Sequence, residues 1–164
     1  MVEVIVQAIA MDQNDNHFVI LRDVNGSRGL PILVGPWEAR AIDIELQGYK
    51  PPRPMTHDLL RNILEQVGAR VRRVVVTELR DMTYFAIINV EREGVEQDID
   101  ARPSDAIALA LRCKAPIYVA DKVLEEAGAY LIDPPSARQQ DREEQEEIER
   151  FRSLLDDAGL DDLE

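Results

Sequence analysis

The sequence predicts an α+β fold: a mixed, largely antiparallel sheet packed with helices and carrying an internal duplication. Three observations predict it. Runs of alternating apolar and polar residues recur in pairs, separated by short turn clusters, as hairpins require. Two helices open on a proline that follows a strand, at Pro36 and Pro103, where the fixed φ and missing N–H of proline suit the first helical position. An offset of 67 positions aligns Pro36, Glu38, Ala39, Ala41 and Ile42 with Pro103, Asp105, Ala106, Ala108 and Leu109. Two related halves of strands followed by helix explain that offset without a solenoid, whose units are shorter and more numerous.

Each element has its own signal. VEVIVQAIAM alternates from Val2, the polar DQNDNH forms a turn, and HFVILRDV returns as the second strand of a hairpin. The cluster NGSRG then introduces a short strand, LPILV, and Gly35 with Pro36 opens a helix from Trp37 to about Gln47 that Gly48 ends. YKPPRPM holds three prolines and reads as an extended loop. Thr56 is expected to cap a second helix, in which Leu59, Leu60, Ile63, Leu64 and Val67 form one apolar face and Gly68 is the stop. Long strands are expected at Arg70 to Arg80 and Tyr84 to Arg92, joined through Asp81 and Met82, with VEQDIDA as a third after Glu93 and Gly94. The helix from Pro103 has almost no polar face and should be central and buried. PIYVA reads as a short strand, DKVLEEAG as a short helix, and LIDPPS as a break before a charged helical segment at residues 137 to 155 with Ile148, Phe151 and Leu155 on a narrow apolar stripe. The expected organisation is therefore a domain over residues 1–135 and an acidic helix and tail over 136–164.

Composition narrows the function classes. The chain has 164 residues, 45% of them hydrophobic and 31% charged, enough to bury a core. No apolar run approaches the ~20 residues of a membrane-spanning helix, and the N-terminus lacks a signal-peptide pattern. With a single cysteine, Cys113, an intramolecular disulfide and a multi-cysteine zinc site are both excluded, and a cytoplasmic location is the expectation. Net charge is −13, of which residues 136–164 hold −7. Such a chain repels phosphate backbones at long range, so any nucleic-acid role needs a local arginine cluster or bridging cations.

Several constellations bear on chemistry. In QDIDAR, Asp98, Asp100 and Arg102 share a strand face, spaced about 6.6 Å apart. Two carboxylates there can flank a divalent cation, Mg2+ or Mn2+, while Arg102 grips a phosphate and Asp105 completes an acidic pocket. The plainer account is a solvated strand face with Asp105, and Glu38 at the equivalent place, complementing helix dipoles. That account has the greater weight on spacing alone. His57 and Asp58 begin the second helix, where the histidine suits a general base or a metal ligand, and a structural N-terminal histidine is the reading with the greater weight. Adjacent residues do not share a helical face. His17 is the only other histidine, which excludes a multi-histidine metal centre. Asp12, Asn14 and Asn16 imitate the start of a calcium loop, but His17 stands where glycine is needed, so a hairpin loop is the reading. Arg70, Arg72, Arg73 and Arg80 are the densest basic stretch; Arg70 and Arg72 are candidate phosphate contacts, and pairing with carboxylates is the commoner use. Walker, dinucleotide, nucleophile-elbow and paired-cysteine motifs are absent from the sequence.

LPILVGPWEARAIDIELQG, RPMTHDLLRNIL and above all DIDARPSDAIALALRCKAPIYVAD closely resemble the bacterial and plant bifunctional nuclease family, in family order and spacing, over roughly residues 1 to 128. The resemblance implies an α+β fold, homo-oligomerisation with a dimer favoured, and degradation of both DNA and RNA without strong sequence preference. Its motif residues His57, Asp58, Asp98, Asp100, Arg102, Ser104 and Asp105 are the candidates for the site. The rival class is a non-catalytic, homo-oligomeric binding or scaffold protein, in which these motifs pack and cap helices and the acidic tail docks a basic protein partner.

Overall fold

A computed structural model describes residues 1–130. The expected helix at 137–155, its stripe of Ile148, Phe151 and Leu155, the LIDPPS break and the boundary at 135 lie outside the described residues. In chain order the elements are β1 (Val2–Met11), β2 (His17–Asp23), β3 (Arg28–Val34), α1 (Pro36–Leu46), α2 (Thr56–Gln66), β4 (Ala69–Arg80), β5 (Thr83–Arg92), β6 (Val95–Ala101), α3 (Pro103–Cys113), β7 (Ile117–Val119), α4 (Asp121–Ala127) and β8 (Ala129–Tyr130).

The described strands form one sheet in the order β6-β5-β4-β7-β1-β2-β3-β8. Every neighbouring pair is antiparallel except β4 and β7, so the expected mixed, largely antiparallel α+β fold is observed. Two three-stranded meanders, β1-β2-β3 and β4-β5-β6, lie on either side of β7 and each runs into a helix with proline in its first turn. The 67-residue offset is thus visible as architecture. Strand β7 joins the meanders because it is short and apolar, with Ile117 and Val119 buried and hydrogen bonds to both β1 and β4.

Helix α3 is the centre of the core. Ala106, Ile107, Ala108, Leu109 and Ala110 are all buried, packed with Val19, Leu21, Leu30, Ile32, Ile42, Val74, Val76 and Ala86 from both meanders and α1. The alanines let α1 and α2 approach α3 closely, and the helix ends at Lys114, which takes a left-handed φ of 53°. Helix α2 behaves differently. Leu64 packs against the core, but Leu59, Leu60, Ile63 and Val67 stay substantially exposed.

Two local expectations change. Met55, not Thr56, is the residue preceding the first turn of α2, and Asp58 Oδ2 accepts the Met55 backbone N–H at 2.9 Å. The carboxylate at the third helical position does the capping, so Thr56 falls inside the helix. In β4 a register shift between Val71 and Arg73 interrupts the two-residue period on which a shared face for Arg70 and Arg72 rested. The DQNDNH turn is as expected: Asp12 Oδ1 accepts the N–H groups of Asn14 and Asn16, closing a hairpin loop.

Candidate functional site

Three helix N-termini bring chemistry-bearing side chains together. Glu38 lies in the first turn of α1, His57 and Asp58 in that of α2, and Asp105 in that of α3, with Arg102 immediately before α3. Each acid occupies the third helical position for the same reason, the unsatisfied N–H groups and positive dipole end there. The folding of α1 and α2 onto α3 brings Glu38, His57, Arg102 and Asp105 from three helix starts into one cluster.

Arg102 is its hub. Its Nε donates to Asp105 Oδ2 at 2.7 Å, and a terminal nitrogen lies 2.8 Å from Glu38 Oε1. The other Asp105 oxygen, Oδ1, is 3.0 Å from His57 Nε2. A carboxylate held between a guanidinium and an imidazole can only accept, so the proton of that contact belongs to His57 Nε2, and the remaining ring nitrogen, Nδ1, is left for other chemistry. Exposure grades along the chain of contacts: the His57 side chain is 10% exposed, Asp105 32% and Arg102 66%. Burial works to raise the Asp105 carboxyl, but hydrogen bonds from Arg102 and His57 outweigh it and hold the acid below the usual carboxylate value. The same contact with Asp105, followed by Glu38, raises Arg102. Both groups are therefore charged at neutral pH.

Asp58 turns away from this cluster. Its Oδ1 accepts from Arg112 Nε at 2.7 Å, and the remaining Arg112 nitrogens donate to the carbonyls of Ala108 and Ala41 at 2.8 and 3.0 Å. Burial would raise Asp58, yet the Met55 N–H and the Arg112 guanidinium lower it. His57 and Asp58 thus part company as neighbours on a helix must, one reaching α3 near its start and the other near its end. Asp58 is a positioning residue for α2. Arg112, which sequence reasoning overlooked, was detectable as the one charged side chain beyond the first turn of an otherwise apolar helix.

The remaining candidates lie elsewhere. Asp98 and Asp100 sit on the exposed edge strand β6; Asp98 accepts from Asn89 Nδ2 at 2.7 Å, and Asp100 stands opposite Ile87. The expected grouping of Asp98, Asp100 and Asp105 around one cation does not form, and among the described residues no three His, Cys, Asp or Glu side chains are placed to hold a metal ion. The reason is register: the strand ends at Ala101, and Asp105 then turns on the helix toward Arg102 and His57. Arg72 pairs with Glu91 at 3.4 Å and Arg73 with Glu96 at 3.7 Å, while Arg80 covers the Phe85 ring. Through the β4-β5-β6 register, Arg70 is six residues along β4 from the level of Ala101, roughly 20 Å at strand rise. The structure does not gather Arg70 and Arg72 with Arg102. Burial raises the Cys113 thiol, against any role as an activated nucleophile.

A cleft of about 810 Å3 opens beside the cluster. Arg102, Pro103 and Ser104 form one side, β3 from Pro31 through Leu33 with its turn into α1 another, and the starts of β2 and β5 with the turns before them the rest, including Phe18, Met82 and Tyr84. Ser104 is itself buried. Among the described residues no helix is long and apolar enough to cross a membrane.

The family model of the bifunctional nuclease domain matches residues 19–131. An uncharacterized protein of Mycobacterium tuberculosis is 39% identical over 162 residues, which cover 98% of this chain and 97% of that protein. Bifunctional nuclease 1 of Oryza sativa subsp. indica is 30% identical over 127 residues, 75% of this chain and 38% of the rice protein. Bifunctional nuclease 2 of Arabidopsis thaliana is 30% identical over 122 residues, 71% of this chain and 37% of its own length. The matched segment contains Glu38, His57, Arg102 and Asp105 and stops close to where the described residues end.

Proposed function

The chain belongs to the bifunctional nuclease domain family, and from that premise we propose that it hydrolyses phosphodiester bonds of DNA and RNA where the N-termini of α1, α2 and α3 meet. The observation that carries this reading is the chain of contacts His57–Asp105–Arg102, ending in a guanidinium two-thirds exposed at the mouth of the cleft. Asp105 orients both partners. Arg102, clamped by Glu38 and Asp105, donates to a phosphate oxygen and stabilises the charge that develops there. His57, with Nε2 committed to Asp105, accepts a proton from water through Nδ1 as the water oxygen adds to phosphorus. The bridging P–O bond then breaks, and the leaving oxygen takes a proton from solvent. Ser104 lines the cleft one residue into the helix, and Asp58 fixes α2 so that His57 stays in reach. Arg102 grips backbone rather than base edges, which fits cleavage without strong sequence preference.

A resident Mg2+ or Mn2+ needs several anionic oxygens free to converge. Here Arg102 already lies against both Glu38 and Asp105, and His57 takes the second Asp105 oxygen. These residues do not fit a divalent cation as they stand, and no step above passes through one.

The test is cleavage of DNA and RNA oligonucleotides by extensively purified protein with magnesium, with manganese and with chelator, beside His57→Asn and Arg102→Ala. Loss of a cluster donor should reduce turnover about 10²- to 10³-fold while the fold survives. Activity that fades through purification, or that both variants retain, would reject the proposal.

The second reading is a non-catalytic, homo-oligomeric scaffold, favoured by the exposed apolar row of Leu59, Ile63 and Val67 on α2. These three recur every four residues, with the uncharged Asn62 and Gln66 alongside, so a second copy could pack there without juxtaposing charges in a strongly acidic chain. In that reading the segment 136–164 docks a basic partner. Concentration-dependent sedimentation of wild type and Ile63→Asp, together with absence of cleavage, would select it.

A further inference from the structure

We propose that the cleft beside Arg102 is a nucleobase subsite, which makes single-stranded rather than duplex nucleic acid the substrate class. The inference rests on the nuclease reading only for the ligand being a polynucleotide; the chemistry of the cleft supplies the rest. Its volume, about 810 Å3, lies within the ~300–1,000 Å3 of small-ligand sites. Its walls combine Phe18 and Tyr84 with Pro31, Leu33 and Met82, and Arg102 stands at one end. Aromatic and apolar walls beside one exposed guanidinium match a nucleotide, with the base against the wall and its phosphate on the arginine. A duplex hides its base faces in the stack and offers this surface nothing but backbone. The charge balance points the same way. Among the described residues Arg102 is the one arginine or lysine lining the cleft, and Asp15 lines it too, so recognition there must come mainly from stacking.

The hairpin turn between β4 and β5 supplies independent support. Asp81 and Met82 both take left-handed backbone conformations, with φ of 48° and 60°. This two-residue turn favours glycine at its second position, and the next turn of the same meander has it, at Glu93 and Gly94. Met82 therefore holds a conformation that disfavours a side chain, and that side chain is 92% exposed at the cleft. Among the described residues no packing accounts for it. A flexible, polarizable thioether at the mouth suits contact with an aromatic base.

Met82→Gly is accordingly a clean probe, because it relieves the turn and should leave the protein at least as stable as wild type. Leu33→Asp, at a position 60% exposed on the cleft wall, is the second. Binding of a fluorescent thymidylate oligonucleotide and of a duplex of the same length to the full chain, by anisotropy, should favour the single strand by at least about tenfold, the scale of stacking one or two bases. Leu33→Asp should remove about tenfold of that affinity, and Met82→Gly at least about threefold. Equal affinity for both forms, or single-strand binding unchanged in both variants, overturns the subsite. Cleavage measured in parallel separates the two readings. Wild-type cleavage of duplex and single strand alike, unaffected by either variant, removes the subsite and leaves the nuclease standing. Variant-sensitive single-strand binding without cleavage in purified protein leaves the subsite standing and removes the nuclease.

Discussion

Two arginines stand at opposite ends of helix α3, Arg102 just before it and Arg112 in its last turn, each with its Nε 2.7 Å from an aspartate oxygen, in opposite surroundings. Arg112 is 1% exposed and also bonded to two backbone carbonyls, while Arg102 is 66% exposed and reaches only carboxylates. Distance therefore says little about what each pair does. Arg112 is shut away from water while Asp58 keeps 17% of its side chain exposed, and losing Asp58 strands the Arg112 charge among Ala41, Ala108 and their neighbours. The Arg102–Asp105 pair is screened by solvent, contributes little to stability, and keeps a cation exposed beside the cleft. One pair holds the helices and the other faces the cleft.

The largest expected effect sharpens this contrast. Asp58→Ala should destabilise the protein by about 3–5 kcal/mol, because it leaves the Arg112 guanidinium buried and half-satisfied. Urea unfolding at neutral pH measures it, and Asp58→Ala combined with Arg112→Met should recover much of the loss. A change below about 1 kcal/mol for Asp58→Ala would put both pairs in the same class. Next comes Arg102→Ala, expected to lower cleavage about 10²- to 10³-fold while shifting unfolding by no more than about 1 kcal/mol. Parallel loss of activity and stability would erase the distinction. Glu38→Gln should be milder in both respects, since Asp105 alone still holds Arg102; a several-fold fall in turnover with an unchanged urea midpoint is the expected result.

The smallest effect is the response to acid. Asp58 and Asp105 are both held below their ordinary value in the folded protein, so the unfolded chain binds more protons than the native state as pH falls. Their stabilisation is complete above the unfolded carboxyl value of about 3.9 and is lost as pH drops through the folded values. Asp58→Asn should flatten the decline in stability below pH ~4 more than Asp105→Asn does, because the first pair is the drier one. Equal flattening would argue that the two environments differ less than their exposures indicate.

The sequence by itself determined the local elements and much of the topology. Alternation specified the strands, proline at Pro36 and Pro103 specified where α1 and α3 start, and the run of Ala, Ile and Leu after Pro103 specified a buried central helix. These are properties of a residue and its near neighbours, governed by side-chain period and backbone restriction. The candidate residues His57, Arg102 and Asp105 were legible in the same way, as polar groups at helix starts. Their partners were not. The apolar face of α2 was legible as a face and proved largely exposed, because periodicity shows that a face is apolar without showing what covers it. Asp98, Asp100 and Asp105 lay close in the chain and were separated by the turn from β6 into α3. Glu38 and Asp105, far apart in the chain, were brought to one arginine and His57 to Asp105, while Asp58 was carried to Arg112 instead. Only the packing of α1 and α2 onto α3 made those choices, since the direction in which a side chain meets a distant one depends on how helices cross, and local sequence carries no record of that.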